Sequence, residues 1–368
     1  MSAPTSNLSQ SISGTLHAFL AFDWGEEVNL DEARKLAPAE PTELARRSRT
    51  PSSIAYRPTP LRFPLHPLRL ELPELGLVEA ASEATLFDFA AVSIALHIPF
   101  SVTCERLVAI AAGLAQPEAI LRSAKASLEP LFERVKPAIR EPLWVGLSEE
   151  YFVFQLPSDG PLTTEKLLAD ASSWLAGLVR LENGPLSSDE IAEAIRQRIT
   201  YSPADLLVAD WSAAVLVDRD CDETLQTIEF ANVQLLELRH IDARIDDRLD
   251  AAYDTLAPFA HSWLPIWRTH AKPLRALGEL KVEAIGLFER TNNALKLVGD
   301  QYLARVYRLL SSRFHLDAWE QSIRESLSVA QEVYRVLAEQ AATYRTELLE
   351  IIIIALILFE IVMAFVRH

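Results

Sequence analysis

Cysteine is nearly absent from this chain: Cys104 and Cys221 are the only two in 368 residues. Two thiols so far apart supply neither a disulfide framework nor a CxxC metal motif, and they suit a reducing compartment. The first stretch, MSAPTSNLSQSIS, holds no basic residue and no apolar core. It reads as neither a secretory signal nor an arginine-rich transit peptide. The common catalytic signatures are missing too: there is no GxGxxG, no Walker A lysine loop, no GxSxG elbow and no HExxH. Positive charge is in short supply, with 35 basic against 51 acidic residues and a net charge of -16. Such a surface repels nucleic-acid phosphate, and the densest basic stretch, ARRSRT at 45–50, reads as a solvated loop. No direct DNA binding is expected.

What is present is apolar material, 49% of the residues, enough for a sizeable core. Strands are expected at Gly14 to Trp24 (GTLHAFLAFDW), at Ala84 to Phe100 with a bend or hairpin inside it, and at Glu149 to Leu156. A proline-rich stretch with Pro51, Pro58, Pro60, Pro64 and Pro67 allows edge strands and extended loop. Helices are expected from Val102 to Arg140 and after Ser187, where Ser187 and Glu190 have capping-box spacing. ADLLVADWSAAVLVD (204–218) adds one or two buried strands. This order predicts an α+β fold, a mixed sandwich of ferredoxin-like type over residues 14–218, behind a disordered 1–13.

After Asp218 a heptad emerges. Ile228, Leu235, Leu249 and Leu256 share one core position, with Asp242 as its charged member. Ala231, Leu238, Ile245 and Ala252 share the other. A second helix is expected from Ala276 to Phe314 and a third from Asp317 onward, so 219–345 reads as a long helical hairpin. Its charged residues could bind a metal through Asp242 and Asp246, one turn apart. Arg239, Arg244 and Arg248 alternate with them, and an ion-pair network satisfies the same residues. That network is expected to include His240, with Asp300, Arg305 and Arg308 of the second helix facing the acidic positions of the first. Asn232, Gln234 and Glu237 read as polar residues that fix helix packing. The hairpin tip HSWLPIWRTH (261–270) is either a docking surface or a self-packed loop.

The last segment, TELLEIIIIALILFEIVMAFVRH, has no polar face except Glu360. A soluble amphipathic helix keeps one, so 346–368 reads as a C-terminal transmembrane anchor. Leu348, Leu349, Glu350, Ile351, Ile354, Leu358, Glu360, Val366 and Arg367 mark it. Glu360 costs about 3 kcal/mol near a bilayer centre, and its apolar neighbours offset this. The carboxyl is either protonated or near water, or it meets a polar group on another protomer.

Four tracts carry a resemblance: LEIIIIALILFE at the end, FANVQLLELRHID (230–242), VGDQYLARVYRLLSSRF (298–314) and LFDFAAVSIALHI (86–98). Together they resemble the required-for-meiotic-nuclear-division family of membrane proteins. The sequence departs from it at Ile351, where mitochondrial members carry tryptophan, and at Ala90, where glycine is common. The resemblance implies a membrane protein without catalytic machinery that supports the translation machinery. The arginine bias (28 to seven lysines) and the absent transit peptide suit a bacterial member. The expectation is therefore a non-enzymatic, tail-anchored, homo-oligomeric scaffold in the inner membrane. Its partners would be the lipid bilayer and an unidentified, ribosome-associated protein, and it would carry no cofactor. The alternatives are a metal-dependent enzyme at the membrane surface and a ribosome- or RNA-binding module.

Overall fold

The computed structural model describes residues 11–37, 40–42, 59–144, 146–160, 163–256 and 301–366, with scattered positions between 278 and 288. The chain divides into two compact units. One comprises Met1–Glu237 and Arg290–Asp317, the other Leu238–Glu289 and Ala318–His368.

The first unit is built on a nine-stranded sheet. Its order is β3 (Leu61–Pro64), β5 (Gly76–Leu86), β6 (Ala91–Thr103), β1 (Ser11–Asp23), β8 (Ser148–Leu156), β11 (Ala213–Val217), β10 (Leu206–Ala209) and β9 (Arg198–Ile199). A further strand, β4 (Leu68–Leu72), pairs with β5, and β2 (Glu27–Val28) pairs with β7 (Ile139–Arg140) as a separate ribbon. β1 runs antiparallel to both β6 and β8. Strands β6 and β8 are therefore parallel, joined by α2 (Cys104–Leu114) and α3 (Glu118–Val135), with β1 inserted between them. β11 lies parallel to β8. The helices α4 (Thr164–Ala169), α5 (Ser172–Arg180) and α6 (Ser188–Ala194) intervene in sequence.

The class is α+β, with a large mixed sheet. The ferredoxin-like topology expected from element order does not occur. A four-stranded sheet cannot hold the hairpins that extend this one at both ends. Pro64 closes β3 at the sheet edge, as a residue without a backbone N–H requires. The 84–100 run resolves into a β5–β6 hairpin whose turn holds Ala90 at φ 65°. That left-handed conformation favours glycine. Ser187 caps α6, its hydroxyl accepting from the Glu190 N–H at 3.2 Å.

Both faces of the central strands are buried. On one, Leu16, Leu20 and Phe22 of β1 join Ile94, Phe152 and Phe154 in the main core. There Trp24, Phe132 and Trp144 pack ring on ring. The opposite face is covered by the first part of α7 (Asp222–Leu256) and by α8 (Gln301–Arg313). Val233 and Leu236 pack on Ala21, Phe87, Phe89 and Ala91. Phe314 meets Tyr151 edge-on at 5.1 Å. A buried ion cluster holds α8 to the sheet: Asp210 receives Arg180 on one oxygen at 2.7 Å and Arg313 on the other.

Helix α9 (Leu316–Val366) runs 51 residues, all but the first two of them in the second unit. Phe288, Ile323, Leu327 and Ala330 are buried, and the Arg324 guanidinium lies 4.4 Å from the Phe288 ring centre. Of the heptad positions, Ile228, Ala231, Leu235, Leu238 and Ile245 are buried. Among the described residues no helix is long and apolar enough to cross a membrane.

Gly14 of β1 has no room for a side chain. A Cβ there would stand 2.2 Å from the Gln155 carbonyl oxygen and 2.8 Å from the Phe100 ring. Gly14→Ala is expected to destabilise the first unit by about 1–3 kcal/mol, the usual range for overpacking, as measured by urea unfolding.

Candidate functional site

The sheet face under α7 is not a plain hydrophobic seam. Strand alternation sends Leu16, Ala18 and Leu20 into the main core, and so turns His17 and Phe19 toward α7. His97 is the direct cross-strand partner of His17. From flanking strands come Arg62, Glu83, Thr85 and Gln155, and from α7 comes Glu229. With Thr42, Arg219, Cys221, Asp222, Leu225 and Gln226, most of these line a cavity of about 380 Å³.

Its hydrogen bonds fix their own direction. Gln155 Nε2 donates to the Asp218 carbonyl at 3.2 Å, which leaves Gln155 Oε1 for His17 Nε2 at 2.9 Å. His17 Nε2 therefore carries the proton, and Nδ1 is the acceptor. The partner of Nδ1, 2.7 Å away, is His97 Nδ1, which must donate. His97 Nε2 lies 3.5 Å from Glu83 Oε1.

Charge follows the same logic. Burial holds the His17 imidazole down at about 4, and the neighbouring His97 adds to this. Burial alone would raise the Glu83 carboxyl, but its hydrogen bond with His97 and the charge of Arg62 outweigh that and hold it below its ordinary value. Arg62 bridges Glu83 at 3.0 Å and Glu229 at 2.7 Å, and its Nε donates to the Thr85 hydroxyl at 3.2 Å. Glu229 is 2% exposed, and burial raises its carboxyl against the opposing pull of Arg62. Burial, with Asp218 and Asp222 nearby, pushes the Cys221 thiol up to about 12. It stays protonated and is no nucleophile at neutral pH.

The residues expected from sequence fall elsewhere. Asn232 and Gln234 are buried on α7 and do pack it. Asn232 Nδ2 donates to the carbonyls of Glu149 and Phe19 at 3.3 and 3.5 Å, and Gln234 Oε1 accepts from the Tyr307 hydroxyl. Glu237 is buried. Arg305 and Arg308 do not reach acidic residues of α7. They meet backbone carbonyls instead, of Thr200 at 3.5 Å and Ala304 at 3.1 Å, because α8 lies against the edge strands. Asp300, Arg367 and the 261–270 tip lie outside the described residues. Arg239, His240 and Arg244 are half-buried and Asp246 is exposed. Burial and Arg244 take His240 down to about 4, and burial and Asp246 raise Asp242. Among the described residues no group of three or more His, Cys, Asp or Glu could hold a metal ion.

Of the anchor residues, Leu349, Glu350, Ile351, Ile354, Leu358 and Glu360 are all exposed; the side chains of Leu348 and Val366 are not described. Every large apolar residue from Ile351 to Met363 is between 44% and 65% exposed, around the whole circumference of the helix.

The cavity was missed because composition and motif searches look for dense clusters in sequence. Its members come from separate strands and a helix. The available signal was a histidine in the middle of each of two hydrophobic strands, on the face opposite the core.

Residues 13–223 match the family model described as the N-terminal domain of the uncharacterized protein MJ0711. The uncharacterized protein MJ0711 of Methanocaldococcus jannaschii is 26% identical over 206 residues, which are 55% of this chain and 62% of that relative. The chain thus matches less than two thirds of the relative's length. No solved structure matches. All cavity residues up to Asp222 fall inside the matched span, and Leu225, Gln226 and Glu229 lie just beyond it. Of the four tracts that carried the resemblance, only Leu86–Ile98 lies within it.

His17 gives the cavity a pH signature. Its folded value lies below the unfolded one of 6.5, so unfolded chains take up a proton that folded chains exclude. Stability is full above about 6.5 and falls as the pH drops toward 4. Two and a half pH units amount to about 3 kcal/mol. Urea unfolding of His17→Asn at pH 4 and 7 should show a pH-dependent loss smaller than wild type by about that amount.

Proposed function

This chain belongs to the family of the MJ0711 N-terminal domain, whose match covers more than half of its length, and from that premise we propose that the sheet domain is carried by a membrane tether at the far end of the chain. The observation that carries this reading is the exposure of Ile351–Met363 on every side of α9. A partner helix covers one stripe of such a segment, whereas lipid covers all of it. Each large side chain removed from water contributes about 1–2 kcal/mol. Glu350 and Glu360 each cost about 3 kcal/mol at bilayer depth, less near the headgroups. The apolar contribution wins.

The described apolar run is shorter than the roughly 20 residues that a full span needs. The proposal extends it through Val366 and back to Leu348, as a single-pass tail anchor with the sheet domain on the cytoplasmic side. The two buried free thiols, Cys104 and Cys221, fit a reducing compartment. Glu360 would seek a polar partner on a second protomer, giving a homo-oligomer. The resemblance to the meiotic-nuclear-division family extends the reading to a scaffold that presents the sheet domain to the translation machinery.

The test is fractionation of cells that express the full chain or a chain lacking residues 346–368. The full chain is expected in the membrane pellet, resistant to high salt and released by detergent, and the truncated chain in the supernatant. Equal distribution of the two contradicts the tether.

A further inference from the structure

Two buried polar atoms of the cavity lining have no hydrogen-bond partner among the described residues. Glu229 Oε2 receives Arg62, but Oε1 is shielded from solvent and unpaired. The Ser93 and Thr85 hydroxyls approach this carboxylate and favour its charge, yet neither meets Oε1 in hydrogen-bonding geometry. The second atom is Gln226 Nε2, likewise shielded and unpaired. Gln226 and Glu229 are three residues apart on α7, on one helix face, and both line the cavity. An unmet buried group costs about 1–3 kcal/mol, so two such groups side by side need a reason.

Together they describe a ligand. Glu229 accepts only, so it calls for a donor. The Gln226 amide, presented as Nε2–H, calls for an acceptor beside it. We propose that this cavity binds a small neutral molecule with adjacent N–H and C=O groups, a carboxamide either open or closed into a ring as in a nucleobase lactam. Its N–H would meet Glu229 Oε1 and its carbonyl Gln226 Nε2.

Charge argues for neutrality. An anion would face the carboxylates of Glu83, Asp222 and Glu229. The cavity's two arginines are already engaged, Arg62 with Glu83 and Glu229, and Arg219 with Asp159. An ammonium ion would suit Glu229 but leave the Gln226 N–H pointing at a cation. A divalent metal lacks a group of three ligands among the described residues. Phe19 and Leu225 supply apolar wall, and about 380 Å³ lies within the range of small-molecule sites.

Titration calorimetry of the full chain tests this with four probes: uracil as a ring lactam, nicotinamide as an open carboxamide, and acetate and ethylammonium as charged controls. Uracil, nicotinamide or both should bind, and the charged probes should not at the same concentrations. Gln226→Leu should weaken that binding by at least about tenfold. It should also leave the melting temperature equal to or above wild type, since it removes an unmet buried donor. Gln226→Met, closer to glutamine in shape, serves as the second variant. The proposal is overturned if neither amide binds the wild-type chain, if acetate or ethylammonium binds as well as they do, or if the folded Gln226 variants keep full affinity.

Discussion

The buried ion pair between Arg62 and Glu229 holds the second face of the sheet together. Arg62 stands on β3, at one end of the sheet, and Glu229 on α7, 167 residues later. Their 2.7 Å contact ties the helix down over a strip of polar side chains rather than an oily seam. Glu229 is almost wholly buried and Arg62 nearly so, so neither charge has water to fall back on. Such a pair adds little net stability compared with two packed apolar residues, but losing Arg62 strands the Glu229 carboxylate. Its consequence is positional. With α7 fixed there, His17, His97, Glu83 and Gln155 are roofed, and a cavity is left between strands and helix.

The two faces of the sheet thus have different work. The first is continuous hydrocarbon, from Leu16 to Phe154, and accounts for most of the burial. The second is apolar only where Val233 and Leu236 meet Ala21 and the Phe87–Phe89 pair. Elsewhere it carries ionisable groups whose protons are ordered by a single carbonyl, that of Asp218. That carbonyl sets the Gln155 amide, which sets the His17 tautomer, which in turn makes His97 a donor toward the interior. A cavity with an unmet acceptor, an unmet donor and no reactive thiol suits recognition more than nucleophilic chemistry. The exposed apolar end of α9 belongs to a separate unit. In the proposed reading the domain is a recognition module, and the end of the chain its means of location.

The class of this fold was legible in the sequence because alternation and periodicity are local signals. The strand at GTLHAFLAFDW, the hairpin inside ATLFDFAAVSIALHIPF and the Ser187 cap all follow from neighbouring residues. Strand order was not legible. Nothing local places β1 between β6 and β8, since that depends on which long-range pairing leaves the α2–α3 crossover room to pack. The site was lost for a related reason. Asp242, Asp246 and their arginines form a dense charged run in sequence, yet most are half-exposed, or exposed outright, and offer no ligand cluster. The residues that do converge are single polar positions in hydrophobic strands. His17 interrupts one such run and His97 another, and only the register of β1 on β6 brings them opposite each other. Ala90 is the reverse case: its departure from glycine was visible in the sequence, and its positive φ gives the physical reason glycine suits the turn.

The central claim is that one buried charge pair seats α7 and so creates the polar cavity. A double-mutant cycle with Arg62→Met and Glu229→Leu tests it most directly. Arg62→Met should lose about 3–5 kcal/mol of stability, because it leaves the buried Glu229 carboxylate without its cation, whereas Glu229→Leu should lose less, because Arg62 keeps Glu83. The double variant should recover most of the Arg62→Met loss, since the Glu83 that remains is the more exposed carboxylate. Additive losses, or an Arg62→Met variant as stable as wild type, would contradict it.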